Sequence, residues 1–512
     1  MTIARADAVV IGAGPNGLAA AITMAEAGAD VIMCDGAAEP GGAVRTQELT
    51  LPGFRHDTFS AVYPAAAASP VFARWPLSEH GLEWTHPAVA LAHPFPDGSA
   101  AALYRDVEAT VASLEAISKG DGRAWRSFAT PLLKAYPSLR RTLIGGWIPV
   151  RGTAGLAASL GVHGTLDFAR TALLPATQLA RELFADSRNQ AWLAGSCLHG
   201  DVAADESGSA VIGTYLQLLG HAVGWPSPAG GAQQLVESLA GYLASLGGQV
   251  RTGAPVERVV TAGGRVAGIE LESGDRIRAN TVVAAVTPHE LLRLAGAALP
   301  PGYVRRMARY RYGPGTVKMD WALDGPVPWT APEARQAGTV HVGGDVEQLV
   351  QAQAAVRGGS LPEEPFLLFG QQSVADPTRA PDGKHTAWAY TRVPRDYPLT
   401  GDELAAFAAR IAAQVERFAP GFAGRVLAQH VMGPADLEAR NPSLSQGDVG
   451  GGTYALDQMV FRPVAGLTPY RTPAEGLYIG SAATFPGGAV HGAPGHAAGR
   501  LAAVEATVRR WW

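Results

Sequence analysis

Residues 8–35 read AVVIGAGPNGLAAAITMAEAGADVIMCD, and this stretch decides the fold of the chain. A short apolar run at 8–11 leads into glycines at the G-x-G-x-x-G spacing, then into an alanine-rich stretch and a second apolar run that ends at Asp35. This order of strand, glycine turn, helix, strand and acid predicts a βαβ unit that binds a dinucleotide. A purely structural glycine turn is the weaker alternative.

Each glycine of this turn has a physical reason. Gly12 permits the tight turn, Gly14 lets the backbone approach a pyrophosphate, and Gly17 lets the helix lie close to the sheet. The free N–H groups and the positive dipole end of the helix favour the phosphate charge. Asp35 lies where a carboxylate accepts hydrogen bonds from ribose hydroxyls and repels a 2′-phosphate. The predicted cofactor contacts in the turn are Gly12, Ala13, Gly14, Pro15, Asn16 and Gly17.

The residues after Asp35 read GAAEPGGAVRT and bear on which dinucleotide is bound. Gly41 and Gly42 allow close backbone approach without a Cβ atom, and Arg45 offers a guanidinium fork to a pyrophosphate. A plain loop is the alternative for the glycine pair taken alone. The stretch resembles an extension in FAD-containing oxidoreductases of the amine oxidase and phytoene desaturase type, in which the backbone runs back along the diphosphate. We therefore predict FAD.

Residues 476–502 read GLYIGSAATFPGGAVHGAPGHAAGRLA and resemble the C-terminal FAD motif of the same enzymes. A short apolar strand is followed by a glycine turn and an alanine-rich helix. The resemblance implies that the helix N-terminus points at the flavin ring, where its dipole favours the negative charge of the reduced form. The cofactor contacts that it implies are Gly480, Ser481, Gly488, Ala489 and Val490.

Further blocks extend the resemblance over essentially the whole chain. They are LPGFRHDTFS (51–60), GHAVGWPSPAGGAQQLVESLAGYLASLGGQV (220–250) and GGGTYALDQMVFRP (450–463). The chain is thus similar to the phytoene desaturase superfamily, in the branch with carotenoid ketolase-like and pyridine nucleotide-disulfide oxidoreductase domain-containing proteins. Ser481 departs from the aspartate that many members have there, although serine still makes one hydrogen bond. The resemblance also implies a main-chain bond from Val256 to adenine.

The predicted fold is α/β, with a discontinuous FAD-binding domain of the Rossmann type, like that of glutathione reductase and amine oxidases. An α+β substrate-binding domain is interleaved with it. Helical periodicity is typical of 76–222, whereas an amphipathic helix and short alternating strands follow it. We expect the FAD-binding domain to comprise 1–75, 223–290 and 466–512, and the substrate-binding domain to comprise 76–222 and 291–465.

The composition excludes several classes of protein. The chain of 512 residues is long enough for two or more lobes, and its formal charge of −4 gives no general attraction to nucleic acid. Cys34 and Cys197 form no C-x-x-C motif, which excludes a disulfide reductase mechanism. His199, Asp201 and Glu206 match no metal-ligand spacing, so we predict no metal site and a solvated loop.

A second nucleotide-binding turn is absent from the sequence. No other G-x-G-x-x-G follows a strand between residues 60 and 470, and the pair Gly230-Gly231 follows no apolar strand. We therefore predict no NAD(P)H domain. The flavin is then reoxidised by oxygen, by a quinone or by the substrate itself, which favours a dehydrogenase or oxidase over a monooxygenase.

Two runs hint at a lipid-like substrate or a membrane surface. They are RRMARYRY (305–312) and RRWW (509–512), in which arginines and aromatic rings suit the headgroup boundary of a bilayer. A charged helix face and a tail packed on a neighbouring protomer are the alternatives. The chain shows no leader and no run of about 18 apolar residues, so we expect a cytoplasmic protein, with peripheral membrane contact as an open alternative.

The catalytic residues are the least well defined. A flavin can take hydride itself, so the protein supplies orientation, a dry pocket and one proton acceptor. His491 is the first candidate, because the resemblance places its turn beside the flavin; a histidine that only bonds the backbone of the turn is the alternative. His56 and Asp57 are the next candidates, with a loop and an Asx turn as the alternative.

The leading hypothesis is an FAD-dependent oxidoreductase that dehydrogenates, by desaturation or oxidation, an apolar molecule such as an isoprenoid or another lipid-like compound. An amine oxidase is the first alternative, although no cysteine for covalent flavin attachment and no clear aromatic pair lie in the C-terminal segment. A redox-neutral isomerase and a non-catalytic flavin-binding protein are the others. The sequence decides neither the substrate nor the oligomeric state.

Overall fold

The computed structural model describes residues 3–147 and 149–509, which form twenty strands and eighteen α-helices. The strands are β1 (Ile3–Arg5), β2 (Ala8–Ile11), β3 (Val31–Cys34), β4 (Thr46–Gln47), β5 (His56–Asp57), β6 (Trp84–Thr85), β7 (Val89–Pro94), β8 (Ala100–Leu103), β9 (Ser227–Pro228), β10 (Gln249–Arg251), β11 (Val256–Ala262), β12 (Arg265–Leu271), β13 (Arg276–Arg278), β14 (Thr281–Ala284), β15 (Gly315–Leu323), β16 (Ala337–Val342), β17 (Leu367–Gly370), β18 (His385–Val393), β19 (Val426–Met432) and β20 (Leu477–Ile479). The helices are α1 (Pro15–Glu26), α2 (Pro64–Ala67), α3 (Val107–Ile117), α4 (Asp121–Lys134), α5 (Tyr136–Ile144), α6 (Val150–Leu173), α7 (Ala176–Leu183), α8 (Ser187–Ser196), α9 (Ser209–Ala222), α10 (Gln233–Ser245), α11 (Pro288–Ala295), α12 (Pro301–Met307), α13 (Pro332–Gln336), α14 (Val346–Arg357), α15 (Gly401–Phe418), α16 (Pro434–Arg440), α17 (Leu456–Met459) and α18 (Ala493–Arg509).

A five-stranded parallel sheet forms the centre of the cofactor lobe. Its order is β10-β3-β2-β14-β20, so strands from distant parts of the chain lie side by side. Every residue of β2, β3 and β14 is buried, because both faces of this sheet are covered. The sheet β1-β13-β12-β11 shares a core with one face, whereas α1, α10 and α18 share a core with the other.

Helices α1 and α18 pack with almost no side chains between them. A Cβ atom on Gly495 would lie 1.7 Å from the carbonyl oxygen of Asn16, and one on Gly499 would lie 2.7 Å from that of Ala20. Only glycine therefore fits at these positions of α18. The close approach brings the N-terminal ends of the two helices together, so both positive dipole ends lie at the same place.

A seven-stranded sheet forms the centre of the second lobe. Its order is β19-β15-β18-β17-β16-β7-β8, in which β7 pairs with β16 in parallel and the other pairs are antiparallel. Helix α15 shares a core with this sheet, and the helices from α3 to α9 contribute to a second core together with β7 and β8. The predicted α/β fold is confirmed, whereas the domain boundaries stay a prediction. Among the described helices, none combines the length and the apolar character that a membrane crossing needs.

Candidate functional site

The turn between β2 and α1 itself explains two of its three glycines. Gly12 has a φ angle of +96°, which L side chains rarely adopt. A Cβ atom on Gly17 would lie 1.9 Å from the carbonyl oxygen of Gly12, so any side chain there would push the helix off the turn. Both glycines are needed for the fold, with or without a ligand.

Gly14 is different, because nothing in the protein requires glycine there. Its φ and ψ angles are −77° and 174°, and the nearest atom to an added Cβ is the Cα of Gly42 at 3.8 Å. A Cβ at Gly14 would thus make only ordinary contacts within the protein, whereas a pyrophosphate that approaches the backbone requires glycine there. Two buried polar atoms, Asn16 Oδ1 and Arg45 Nε, have no hydrogen-bond partner among the residues described. These features fit the diphosphate of a dinucleotide.

Asp35 joins the end of β3 to the glycine turn. Its carboxylate accepts hydrogen bonds from the N–H groups of Ala13, at 2.6 Å, and Ala37, at 2.8 Å. Each carboxylate oxygen has a second lone pair, which a ribose hydroxyl can use. Gly41 N–H donates to the carbonyl of Ala13 at 2.9 Å, which holds the following loop against the same turn.

The loop before α18 has a strained backbone. Ala489 and Val490 have φ angles of +75° and +54°, and the flanking Gly487 and Gly492 also have positive φ. A β-branched residue in this region costs free energy, and such strain is concentrated at ligand sites. The flavin contacts of Ala489 and Val490 stay a prediction. Gly480 N–H donates to the carbonyl of Ala284 at 3.0 Å, next to this loop.

Contacts from distant residues hold the strained loop in place. Gly488 N–H donates to the hydroxyl oxygen of Tyr454 at 2.5 Å, and the guanidinium of Arg462 lies over the Tyr454 ring at 4.6 Å. Arg462 is fully buried and donates to the hydroxyl of Tyr310 and the carbonyl of Gly451. The segment 450–463, which carried part of the family resemblance, therefore supports the flavin end of the site.

His491 is buried within the same loop. Its Nδ1 atom accepts a hydrogen bond from Ala493 N–H at 3.2 Å, and its carbonyl accepts one from the Ser69 hydroxyl at 2.6 Å. Burial lowers the pKa of His491 to about 4, although a hydrogen bond to the backbone of Gly488 opposes this shift. The ring is thus neutral and bonded within the turn. Its catalytic role stays a prediction.

His56 and Asp57 lie in β5 and are buried. His56 Nε2 lies 2.7 Å from the Thr50 hydroxyl, and burial lowers the pKa of His56 to about 3. Asp57 forms an ion pair with Arg379 at 2.6 Å and accepts a hydrogen bond from Ala232 N–H at 2.9 Å. Arg379 joins β5 to the second lobe, whereas Ala232 joins it to the start of α10 in the cofactor lobe. A catalytic role for either residue also stays a prediction.

A buried ion pair between Lys318 and Asp320 was not predicted. Lys318 Nζ lies 2.5 Å from Asp320 Oδ1, and the side chains are 3% and 0% exposed. Burial raises the pKa of Asp320 to about 6, although Lys318 lowers it. Because residues two apart in a strand share a face, the K-x-D pattern inside an apolar run could have indicated this pair.

Val256, the predicted partner of adenine, is buried at the start of β11. Its carbonyl accepts a hydrogen bond from Arg293 at 3.1 Å, and it pairs with Leu271 in the neighbouring strand. A hydrogen bond from Ala254 N–H to the carbonyl of Asp35 joins the segment before β11 to the end of β3. Its contact with adenine stays a prediction.

A cavity of about 420 Å³ lies in the second lobe, beside α14 and the end of β18. Most of its wall is apolar. The apolar residues that line it include Leu198, Val202, Ala352, Val356, Phe366 and Leu368. The charged residues of the wall have partners within the protein: Arg392 pairs with Asp201, Arg357 pairs with Asp205 and Glu206, and Arg395 donates to the carbonyls of Gly313 and Ser445.

The loop 448–454 contacts both the wall of this cavity and the strained loop before α18. Asp448 accepts a hydrogen bond from the N–H group of Gly313 at 2.9 Å, and Gly313 lines the cavity. On its other side, the loop places the carbonyl oxygen of Gly450 2.8 Å from where a Cβ on Gly488 would lie. The cavity wall and the strained loop therefore contact the same short segment of the chain.

The expectation of a solvated loop around His199 and Asp201 is wrong. The Asp201 side chain is 0% exposed, and His199 Nε2 lies 3.0 Å from His341 Nε2. The segment is covered by α9, α14 and β16, a tertiary contact that local sequence cannot reveal. Burial lowers the pKa of His199 to about 3. Within 3–147 and 149–509, no three His, Cys, Asp or Glu side chains form a group that could hold a metal ion.

Of the two runs that suggested a membrane surface, the structure describes the first, 305–312, but not most of the second, 509–512. In 305–312, Arg311 forms an ion pair with Asp457 at 2.5 Å, and the hydroxyl of the buried Tyr310 donates to the carbonyl of Gly451 at 2.6 Å. Residues 510–512 of the C-terminal run lie outside the described residues. Peripheral membrane contact stays a prediction.

The βαβ unit, the returning C-terminal helix and the cavity of the second lobe together define a class of protein, the FAD-dependent oxidoreductases. The chain belongs to the family described as "Flavin containing amine oxidoreductase", whose profile matches residues 16–506. FAD is therefore its cofactor, and the resemblance to the phytoene desaturase superfamily is confirmed.

Relatives match over nearly the whole chain. It is 27% identical to pyridine nucleotide-disulfide oxidoreductase domain-containing protein 2 of Rattus norvegicus, over 97% of this chain and 93% of that protein. It is 23% identical to one of the subunits of limonene dehydrogenase from Castellaniella defragrans (100% and 96%) and 27% identical to the neurosporene-forming phytoene desaturase of Rhodobacter capsulatus (94% and 91%). Putrescine oxidase, solved with putrescine, has the same fold at a TM-score of 0.62 and 16% identity, over 99% of this chain and 100% of that one.

Proposed function

We propose that the protein dehydrogenates a neutral, apolar small molecule of isoprenoid or similar lipid-like character. The observation that carries this proposal is the cavity in the second lobe, whose wall is mostly apolar and whose charged side chains all have partners within the protein. Burying an additional charge there would be costly, whereas a neutral apolar molecule gains free energy by leaving water.

The cavity size supports a small substrate. Its volume of about 420 Å³ lies near the lower end of the range for small-molecule sites, which is roughly 300–1,000 Å³. Among the relatives, the names of limonene dehydrogenase and phytoene desaturase refer to hydrocarbons. These names agree with an apolar substrate but are those of distant proteins.

The cofactor and the chain divide the chemistry between them. When bound, FAD accepts the hydride equivalent from the substrate. The chain binds the diphosphate at the start of α1, holds the ribose at Asp35, and directs the dipole of α18 at the flavin end. Arg45 adds a positive charge at the diphosphate, and the apolar cavity wall covers one side of the bound substrate. Oxygen or a quinone is the proposed final acceptor.

Amine oxidation is the second candidate, because the family profile is named for amine oxidoreductases and putrescine oxidase has the same fold. A cationic amine needs an unpaired carboxylate or an aromatic cage. Glu206 in the cavity wall lies 3.8 Å from Arg357, and Asp201 is paired with Arg392. This pairing favours the neutral substrate.

Anaerobic reduction of the flavin tests the proposal. The purified holoenzyme is mixed with pairs of compounds that share a carbon skeleton, such as a monoterpene hydrocarbon and the corresponding primary amine, and with a long carotene. We expect bleaching by a neutral member and none by its amine, followed by recovery on admission of air or a quinone. Bleaching by amines alone would assign amine oxidation instead, and no bleaching by any compound would contradict the proposal.

A further inference from the structure

Helix α6 exposes apolar side chains along its whole length. Seven of the thirteen large apolar side chains that are exposed among the described residues lie either in this helix or in the nearby segment 456–467. Those in α6 are Val150, Val162, Leu166 and Leu173, which are 64%, 75%, 63% and 57% exposed. Single exposed apolar residues are normal in a monomeric protein, but a concentration of them usually marks a surface that binds a partner.

The spacing of these side chains puts them on one side of each half of the helix. From Val150 onwards, an exposed valine, leucine or alanine recurs every three or four residues, at 154, 158, 162, 166, 169 and 173. Residues at this spacing share a face of an α-helix. Gly161, with φ and ψ angles of +68° and −177°, divides the helix into two halves. The opposite side packs on the core through Leu156, Leu160 and Phe168, so the exposed face is not the one that the fold buries.

Both ends of α6 lie beside the segment 456–467, which carries the other three exposed side chains. These are Leu456, Phe461 and Leu467, which are 39%, 54% and 82% exposed. At the first end, the centre of the Trp147 ring lies 6.3 Å from that of Phe461. At the second end, the carbonyl of Leu173 accepts a hydrogen bond from Gly208 N–H, and a Cβ on Gly208 would lie 3.3 Å from the Leu456 side chain. The helix and the segment together are called the α6 surface.

The surroundings of the α6 surface are basic, although the whole chain is acidic. Residues 136–183, which contain α5, α6 and α7, have five arginines and only two acids, whereas the chain carries a formal charge of −4. Arg141 and Arg151 are exposed near the start of α6, where Gly152 packs on the backbone of Arg141. Neither arginine has an ion-pair partner among the described residues. An exposed apolar face with such arginines beside it is typical of a helix at the headgroup boundary of an anionic bilayer.

The α6 surface borders the loop before α18. The centre of the Trp147 ring lies 5.0 Å from that of Phe485, which belongs to this loop. Tyr470 joins the two segments as well, because its hydroxyl oxygen accepts a hydrogen bond from Trp147 N–H at 3.2 Å and its O–H donates to the carbonyl of Phe485 at 3.0 Å. A bilayer bound at the α6 surface would therefore lie next to the loop to which the family resemblance assigns flavin contacts.

We propose that the α6 surface docks the protein on an anionic lipid bilayer. Its apolar side chains lie at the level of the upper acyl chains, and Arg141 and Arg151 lie among the headgroup phosphates. A second copy of the chain fits less well, because a symmetric contact through α6 brings two basic surfaces together. The inference goes beyond the proposed function, and none of its tests needs a substrate.

Flotation of the holoenzyme with lipid vesicles is the first test. Vesicles of phosphatidylcholine and phosphatidylglycerol in equal parts are compared with vesicles of phosphatidylcholine alone. We expect the wild type to float with the mixed vesicles, to be released as the salt concentration rises, and to bind the neutral vesicles much more weakly. If the wild type did not bind the mixed vesicles even at low salt, the inference would be overturned, while the proposed function would be unaffected.

A pair of matched double variants locates the docking surface. Val162→Glu/Leu166→Glu places two charges on the exposed face of α6 and should weaken binding to the mixed vesicles about tenfold or more. Val504→Glu/Val508→Glu is the control, because these valines are 56% and 53% exposed on α18. All four side chains are exposed, so both variants should melt like the wild type. Equal losses in the two variants, or a loss in the α18 variant alone, would contradict docking through α6.

The basic part of the surface has its own matched pair. Arg141→Gln/Arg151→Gln should weaken binding to the mixed vesicles by about fivefold for each arginine. Arg305→Gln/Arg306→Gln removes the same charge from exposed positions on α12 and should bind like the wild type. A loss in the α12 variant alone would assign docking to the run 305–312 instead.

Sedimentation velocity decides against the second copy as occupant. We expect the wild type and Val162→Glu/Leu166→Glu to sediment alike, because the exposed face of α6 binds lipid and not another chain. A wild-type dimer that this variant converts to monomers, in a protein that binds no vesicles, would overturn the lipid inference in favour of a contact between copies.

Discussion

The two ends of the FAD site are held in place by different means. At the adenine end, the turn, α1 and Asp35 all come from 28 consecutive residues, 8–35, and local hydrogen bonds fix their geometry. At the flavin end, the strained loop depends on distant residues, since Gly488 donates to Tyr454 and the carbonyl of His491 accepts from Ser69. The first end is a local structure, and the second is a product of tertiary packing.

This difference explains which parts of the site could be predicted from the sequence alone. Glycine spacing and strand patterns follow from short-range physics, so the βαβ unit could be predicted from its own residues. The left-handed backbone at Ala489 and Val490 could not, because neither residue prefers it and only remote contacts hold it. Those residues were identified through a family resemblance alone.

In the second lobe, too, local sequence patterns could not predict contacts between residues that are distant in the chain. Helical periodicity correctly indicated the helices between 107 and 222, yet the segment around Asp201 was expected to be solvated. Its burial results from elements far away in the chain, and no local pattern marks it. In contrast, Lys318 and Asp320 stand in an apolar strand, where two charges on one face signal a buried pair.

Gly17→Ala should have the largest effect, because it disrupts the turn between β2 and α1 at the adenine end of the site. The added Cβ would lie 1.9 Å from the carbonyl oxygen of Gly12, so α1 must move off the turn. We expect a large fall in the melting temperature of the apoprotein. Gly296→Ala is the control: Gly296 also has a helical backbone, with φ and ψ angles of −55° and −36°, but no atom lies within 4 Å of an added Cβ. Equal melting temperatures for the two variants would contradict this account of the turn.

Gly14→Val should separate binding from folding. No backbone or packing constraint requires glycine at position 14, so the apoprotein of this variant should melt close to the wild type. The valine should nevertheless block the pyrophosphate, and the purified protein should be colourless. The measurement is flavin content per chain, with apoprotein melting as the control. A yellow, fully loaded variant would refute the assignment of this turn to the diphosphate.

Asp35→Ala should have an intermediate effect at the adenine end. It removes the acceptor of the Ala13 and Ala37 N–H groups as well as the proposed ribose contacts. FAD binding should weaken by about 1–3 kcal/mol, the range for charge-assisted hydrogen bonds. Titration of the apoprotein with FAD measures this change. Unchanged affinity would mean that the carboxylate serves only the turn.

Mild acid should destabilise the fold at the flavin end of the site, because this end contains His491. Its pKa is lowered from the ordinary value of 6.5 to about 4 in the folded protein. A lowered pKa stabilises the fold fully above 6.5, and this contribution is lost as the pH falls towards 4. At pH 6 the loss is less than about 1 kcal/mol, since one pKa unit corresponds to roughly 1.4 kcal/mol. Melting of the holoenzyme from pH 8 to pH 4 should show a smaller decrease for His491→Gln. If the melting temperatures of the wild type and of His491→Gln fell by the same amount, the pKa of His491 would be the same in the folded and the unfolded protein.

The most direct measurement of the central claim is the anaerobic bleaching rate of a cavity variant. Ala352 is buried in the cavity wall on α14, whereas Ala354, on the same helix, is exposed. Ala352→Trp should fill much of the cavity and slow bleaching by the neutral substrate about tenfold or more, a loss of roughly 1.4 kcal/mol. Ala354→Trp should bleach at the wild-type rate, and dithionite should reduce the flavin in both variants. Bleaching of Ala352→Trp at the wild-type rate would contradict the claim that this cavity presents the substrate to the flavin.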